Sequence, residues 1–145
     1  MKISPAITYE TGNQLDIDEV IELYVASTLG ERRPVEDRIC MLEMLAKANL
    51  VVTAWDGELL VGIARSLTDF CYVAYLSDLA VRESHQRGGI GKELIRRTQI
   101  ELGDNATIVL LAAPDAEEYY ARIGMSQHPS AWALPSGQSL QKSSD

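Results

Sequence analysis

Apolar positions along this chain alternate between helical and strand periods. Residues 6–10 read as a short first strand. Asp16 or Asp18 then suits the cap of a helix carrying Ile17, Val20, Ile21 and Tyr24 on one face, running to about Thr28. Residues 29–33 break that pattern, and Pro34 suits the first turn of a second helix with Val35, Ile39, Leu42 and Leu45 at helical spacing. Residues 50–55 look like a buried strand. Asp56-Gly57 is a two-residue hairpin signal, followed by a strand from Glu58 to about Leu67 that Gly62 interrupts, as a bulge or a close backbone approach would.

After a turn at residues 68–70, residues 71–81 predict a third long strand, followed by a polar loop at 82–88. A helix is expected over 89–102, with Ile90, Leu94, Ile95 and Thr98 inward and Gly103 as its stop. Residues 106–112 form an apolar strand, 115–123 a short helix ended by Gly124, and a last strand is expected within 125–134. The tail 135–145, rich in Ser and Gln, reads as disordered. The order predicts an α/β (α+β) fold, a mixed central β-sheet flanked by helices, in one domain over 1–134.

Composition narrows the classes. The chain has 145 residues, 46% hydrophobic and 23% charged, the balance of one globular core. No apolar run approaches a bilayer span, and the first residues carry no secretory pattern. The net charge of -8 opposes attraction to nucleic acid or anionic membrane, and would favour approach of a cationic amine. Cys40 and Cys71 share no metal-ligand spacing with the two histidines, so a metal site is not expected. Both read as reduced thiols in a cytoplasmic protein.

The segment from Tyr75 to Ile95, YLSDLAVRESHQRGGIGKELI, is the informative one. A strand ends at Val81, and Gly88, Gly89 and Gly91 open a helix. Glycines let backbone amides converge on an anion, and the first N–H groups of a helix lack internal partners. With the helix dipole this builds a phosphate site mostly from main chain, to which Arg87 and Lys92 can add charge. Neither a Walker loop nor the G-x-G-x-x-G fingerprint is present. A tight strand-to-helix connection is the competing structural reading.

Gln86–Gly91, QRGGIG, is similar to the GNAT pattern Q/R-x-x-G-x-G/A, and Tyr119–Met125, YYARIGM, resembles that superfamily's second signature. The resemblance, over roughly residues 6–134, implies an N-acetyltransferase that moves the acetyl group of acetyl-CoA to a primary amine by direct attack in a ternary complex. The alternative within the resemblance is a non-catalytic acyl-CoA-binding regulator. It implies that the amides of Arg87, Gly88, Gly89, Ile90, Gly91 and Lys92 hold the pyrophosphate, with Gln86 shaping the entrance. Leu79, Ala80 and Val81 would pair with the pantetheine arm like an added strand. The Leu79 N–H would polarise the thioester carbonyl, and Tyr120 would protonate the departing thiolate. In the family the strand after the helix splays away from the strand before it, leaving room for the arm.

Asp78 is the candidate general base, directly or through water, although it could instead cap a loop or hold a neighbouring side chain. Some family members place the acid one position earlier, where this chain has Ser77. The usual asparagine after the next strand is replaced by Ala112-Ala113-Pro114, and Met125 stands for a phenylalanine. Arg32 and Arg33 sit where the family often closes over acceptors, and could bind a substrate carboxylate or lie solvated. His85 reads as an exposed loop residue and Cys71 as strand packing. A homodimer is suggested by family habit alone, and the acceptor is a small-molecule or protein amine.

Overall fold

A computed structural model describes residues 6–141. Its elements are β1 (Thr8–Thr11), α1 (Ile17–Ala26), a 3-10 turn (Leu29–Arg32), α2 (Arg38–Lys47), β2 (Leu50–Asp56), β3 (Leu59–Thr68), β4 (Val73–Val81), a second 3-10 turn (Glu83–His85), α3 (Ile90–Leu102), β5 (Thr107–Val109) and α4 (Glu117–Arg122). The chain resolves into two compact units, Met1–Leu111 and Ala112–Asp145, where the sequence reads one domain.

The first unit holds a sheet in the order β1-β2-β3-β4-β5. Its first three pairings are antiparallel, and β5 joins β4 in parallel through the α3 crossover. Strand periodicity sorts the core. Val51, Leu60, Ile63 and Ala80 face one way, packing with Ile17, Val20, Leu23 and Tyr24 of α1 and Met41 and Leu45 of α2. Val52, Ala54, Val61, Ala64 and Leu76 face the other way, against Ile90 and Leu94 of α3. Full burial of an aliphatic side chain stabilises by about 1.5–3 kcal/mol, so both layers contribute substantially.

Local signals account for several boundaries. The Asp16 carboxylate accepts from the Asp18 N–H at 2.8 Å and starts α1. Gly62 satisfies both readings of its strand position. The β2–β3 register slips there, with Ala54 opposite Gly62 and Trp55 opposite Leu60. A Cβ on Gly62 would stand 3.0 Å from Leu94 Cδ1 and 3.2 Å from Ile90 Cγ2, so its bareness lets α3 approach the sheet.

Other expectations are corrected. α2 starts at Arg38, because Asp37 caps it by accepting from the Cys40 N–H at 3.0 Å, and Pro34 lies in the preceding turn. Its buried residues are Met41 and Leu45, whereas Ile39 and Leu42 are exposed. The hairpin loop is Gly57–Glu58, one residue later than expected, with Asp56 paired to Leu59. Cys71 lies exposed in the β3–β4 turn rather than in strand packing.

The apolar run at 106–112 pairs only over Thr107–Val109. Residues 125–134 form neither helix nor strand. That stretch includes Pro129, which lacks an N–H for a ladder, and it shows no period-2 alternation. Residues 135–141 likewise have no helix or strand, and 142–145, the end of the expected disordered tail, lie outside the described residues. No helix among the described residues is long and apolar enough to cross a membrane.

Substituting Gly62→Val should destabilise the protein by about 1–3 kcal/mol through overpacking against α3. Urea unfolding should move to a lower midpoint at unchanged slope, and an unchanged midpoint would contradict the close approach.

Candidate functional site

β4, the turn after it and the start of α3 carry most of the residues singled out from the sequence. The Arg82 N–H donates to the Val61 carbonyl at 2.8 Å, so at that point β4 turns its polar backbone toward β3. By alternation Ala80 does the same, and the N–H and C=O groups of Leu79 and Val81 turn to the opposite edge. On that edge the β4–β5 ladder covers only Val73, Ala74 and Tyr75. The edge at Leu79–Val81 therefore has no β5 partner, leaving a slot in the ladder beyond Tyr75. The Val81 carbonyl instead accepts from Gln86 Nε2 at 2.9 Å, which draws Gln86 against the mouth of that slot.

The loop into α3 alternates in hand. φ is 68° at Arg87 and 86° at Gly89, but not positive at Gly88. Such alternation gathers successive N–H groups into a concave nest for an anion. Gly89 is the N-cap of α3 and supplies no side chain to its amides. The first intrahelical bond runs from the Glu93 N–H to the Gly89 carbonyl at 3.0 Å, so the N–H groups of Ile90, Gly91 and Lys92 have no acceptor within the helix. A Cβ on Gly89 would meet nothing within 4 Å, and on Gly88 only the His85 carbonyl at 3.8 Å. The space beside these two glycines is thus open.

Arg87 and Lys92 are exposed there, and Ile90 is buried as the loop's apolar anchor. Glu93, the acidic residue of the first turn, is bonded by Arg96 and Arg97, whose hydrogen bonds hold its carboxyl at about 2. Its charge is therefore matched locally and does not stand alone against an anion.

Asp78 differs from expectation. Its side chain is fully buried and accepts from Tyr24 Oη at 2.6 Å, Arg65 Nε at 2.5 Å and Arg33 Nε at 2.6 Å, with the Ser77 hydroxyl at 3.3 Å. Burial alone would raise its pKa, but the bonds and charge of Arg65, joined by Tyr24 and Arg33, outweigh that and hold it below the usual carboxylate range. A carboxylate so engaged is a poor proton acceptor, which argues against the base role and for the reading in which it holds neighbouring side chains. Tyr24 is pushed well up by burial and by the Asp78 charge, so its phenol stays protonated as the donor.

Arg33 also turns inward rather than to a substrate carboxylate. Its Nη2 donates to the Ser77 carbonyl at 2.7 Å and its Nη1 to the Arg32 carbonyl at 2.8 Å. Arg32 itself is exposed. Arg65 completes the cluster, reaching the Met44 carbonyl at 3.0 Å and Ser77 Oγ at 2.9 Å. Ser77 is the extra residue of a bulge, since Arg65 pairs with Asp78 and Ser66 with Leu76. The bulge falls two residues before Leu79 and sets which way the following amides point.

Tyr24 was legible as a core position but not as a donor, and Arg65 was missed altogether. A lone arginine inside the apolar strand of residues 59–68 was the available signal, because a buried charge demands a partner. His85 is braced instead of free in the loop: its Nε2 lies 2.9 Å from Asp56 Oδ2. Among the described residues no group of His, Cys, Asp and Glu side chains could hold a metal.

Tyr120 belongs to the second unit, on α4. It is half-buried, its ring stands edge-on to Tyr119 at 5.2 Å, and burial raises its pKa. Its carbonyl accepts from the Met125 N–H at 3.0 Å, closing the helix past Gly124.

A family model described as an acetyltransferase (GNAT) domain matches residues 31–131. The chain belongs to the GNAT acetyltransferase family. It is 32% identical over 72 residues to the uncharacterized N-acetyltransferase ycf52 of Pyropia yezoensis, covering 48% of this chain and 41% of the relative. It is 28% identical over 101 residues to ycf52 of Gracilaria tenuistipitata var. liui, covering 68% of this chain and 56% of the relative. The chain thus spans about half the length of the curated relatives it matches. Among solved structures it is similar to the aminoglycoside N-acetyltransferase AAC(6')-Iy in complex with CoA. The TM-score is 0.71 at 15% identity, over 95% of this chain and 99% of that one, a likeness of fold.

Asp78→Asn should destabilise the protein by roughly 3–5 kcal/mol, because it leaves Arg65 and Arg33 without their buried anion. The pH dependence follows from the lowered pKa. The contribution of Asp78 is present above the unfolded value of about 3.9 and is lost as pH falls through the folded value. Stability measured by urea titration should therefore decline below about pH 4 in the unaltered protein. The Asp78→Asn profile should be flatter there, and parallel profiles would contradict the assignment.

Proposed function

We propose that the protein is an acetyl-CoA-dependent N-acetyltransferase whose acceptor is a primary amine. The observation that carries this reading is the unpaired edge of β4 at Leu79–Val81, leading directly into the glycine nest that opens α3. An anion site next to a free strand edge matches the two halves of acetyl-CoA, a diphosphate and an amide-bearing arm. The amides from Arg87 to Lys92 bind the diphosphate, with the Arg87 and Lys92 side chains adding charge. The arm pairs with the outward groups of Leu79 and Val81, Ala80 holding that edge to β3, and the Gln86 amide moves off the Val81 carbonyl or spans it.

With the arm in that register, the Leu79 N–H donates to the thioester oxygen. It stabilises the negative charge that grows there as the amine attacks, an electrostatic contribution that needs no rearrangement of the protein. The nitrogen lone pair forms the C–N bond, the tetrahedral adduct collapses, and the C–S bond breaks. Tyr120, carried over from the family's second motif, donates its phenolic proton to the leaving thiolate. A raised pKa keeps that proton in place until the thiolate forms. The acceptor ammonium first loses one proton to water, since the Asp78 carboxylate is committed to Tyr24, Arg65 and Arg33. The second proton, shed by the nitrogen as the adduct collapses, returns to the Tyr120 phenolate.

An amine acceptor is supported by the fold likeness to an aminoglycoside N-acetyltransferase and by the net charge of -8, which attracts cations. Two free cysteines support a reducing, cytoplasmic setting. The direct test is thiol release from acetyl-CoA across a panel of amines. Acetyl-CoA binding without release in any amine would favour a regulator that binds acyl-CoA.

Tyr120→Phe should lower kcat by about 10²–10⁴-fold and leave acetyl-CoA affinity nearly unchanged. Steady-state kinetics beside calorimetry separates the two, and full turnover in the variant would remove Tyr120 as the acid. Gly89→Glu should abolish measurable acetyl-CoA binding by calorimetry, because it adds negative charge at the nest and a side chain at φ 86°. Unchanged affinity would overturn the diphosphate assignment.

A further inference from the structure

The glycine nest is anchored behind by Ile90 and ahead by contacts of the turn that precedes it. Residues 86–89 are exposed, and Arg87 has a left-handed backbone that a side-chain-bearing residue adopts only when its surroundings impose it. Directly before the nest stands the 3-10 turn Glu83–His85, closed by the His85 N–H donating to the Arg82 carbonyl at 2.8 Å. One end of that turn is fixed by Arg82, whose guanidinium bonds Glu22 of α1 and the Leu60 carbonyl. The other end is fixed by His85, which reaches across 29 residues of sequence to Asp56 at the β2–β3 hairpin.

The imidazole has both nitrogens engaged. Nε2 is 2.9 Å from Asp56 Oδ2, and Nδ1 is 2.7 Å from Ser84 Oγ. A carboxylate only accepts, so Nε2 carries the proton, and in the neutral ring Nδ1 accepts from the Ser84 hydroxyl. The two side chains are 21% and 31% exposed, which sets the pair apart from a fully solvated ion pair. The hairpin it leans on joins β2 and β3, two interior strands of the sheet that are each paired on both sides.

We infer that His85 and Asp56 form a positioning pair for the glycine loop, setting how tightly the diphosphate of acetyl-CoA is held. This rests on the acetyl-CoA reading above. Neither residue touches the reacting atoms; the pair ties the residues that aim the Arg87–Lys92 amides to the β2–β3 hairpin.

Calorimetry with acetyl-CoA on the full chain tests it. His85→Ala and Asp56→Ala should each weaken binding about tenfold, and the double variant should be no weaker than either single one, the signature of a coupled pair. His85→Gln, which keeps an N–H to offer Asp56, should stay within about threefold of the unaltered protein, with thermal midpoints near the original in every variant. Asp56 is half-exposed at a hairpin end, so its alanine variant carries the test even where His85→Ala fails to fold. Unchanged affinity in the single variants, additive losses in the double one, or a His85→Gln protein as weak as His85→Ala would each overturn the inference. Failure of the unaltered protein to bind acetyl-CoA would instead overturn the functional reading and this inference with it.

Discussion

The buried carboxylate of Asp78 is the constraint on which the site depends. An ionised group with no exposed surface is costly unless every lone pair is met, and here α1, the segment after the first 3-10 turn, β3 and β4 each send a donor to it. The same cluster reaches α2 through Arg65 and the Met44 carbonyl. Tyr24, Arg33, Arg65 and Ser77 are thereby held at one point of the sheet. The neighbouring backbone inherits that rigidity.

What this serves is a division of labour within β4. Its inward side chains at Asp78 and Ala80 belong to the core, whereas the backbone groups of Leu79 and Val81 face the edge that β5 does not cover. A regular strand would not arrange this beside a buried ion cluster. The extra residue at Ser77 lets Asp78 face inward while the next amide faces the open edge, and Arg33 pins the bulge by bonding the Ser77 carbonyl. The parallel pairing with β5 then ends at Tyr75, which keeps that edge clear.

The loop into α3 is arranged differently. The amides of the α3 start are free because a helix always leaves its first N–H groups unpaired, and the glycines leave space above them. Arg87 as well as Gly89 has a positive φ, and the turn just ahead of them is tied back to the fold at both its ends, by Arg82 with Glu22 and by His85 with Asp56. Strand edge and loop are thus each aimed by contacts lying behind them, one buried and one near the surface.

Much of this was legible in residue order. Helical and strand periods located α1, α3 and the β2–β3–β4 meander, and the glycines at 88, 89 and 91 marked the start of α3, because such signals depend on neighbours within a few positions. The start of α2, the short β5 and the absence of a strand in 125–134 escaped, since capping competition and the availability of a pairing edge decide them. The sequence by itself determined where the glycine loop opens a helix and which family the chain resembles. Only the tertiary structure decided that the Asp78 carboxylate is buried among Tyr24, Arg65 and Arg33, that Arg33 points inward, and that His85 meets Asp56. Each of those outcomes is set by partners 13 to 54 residues away along the chain, and no local pattern encodes where a charge will find its counterpart.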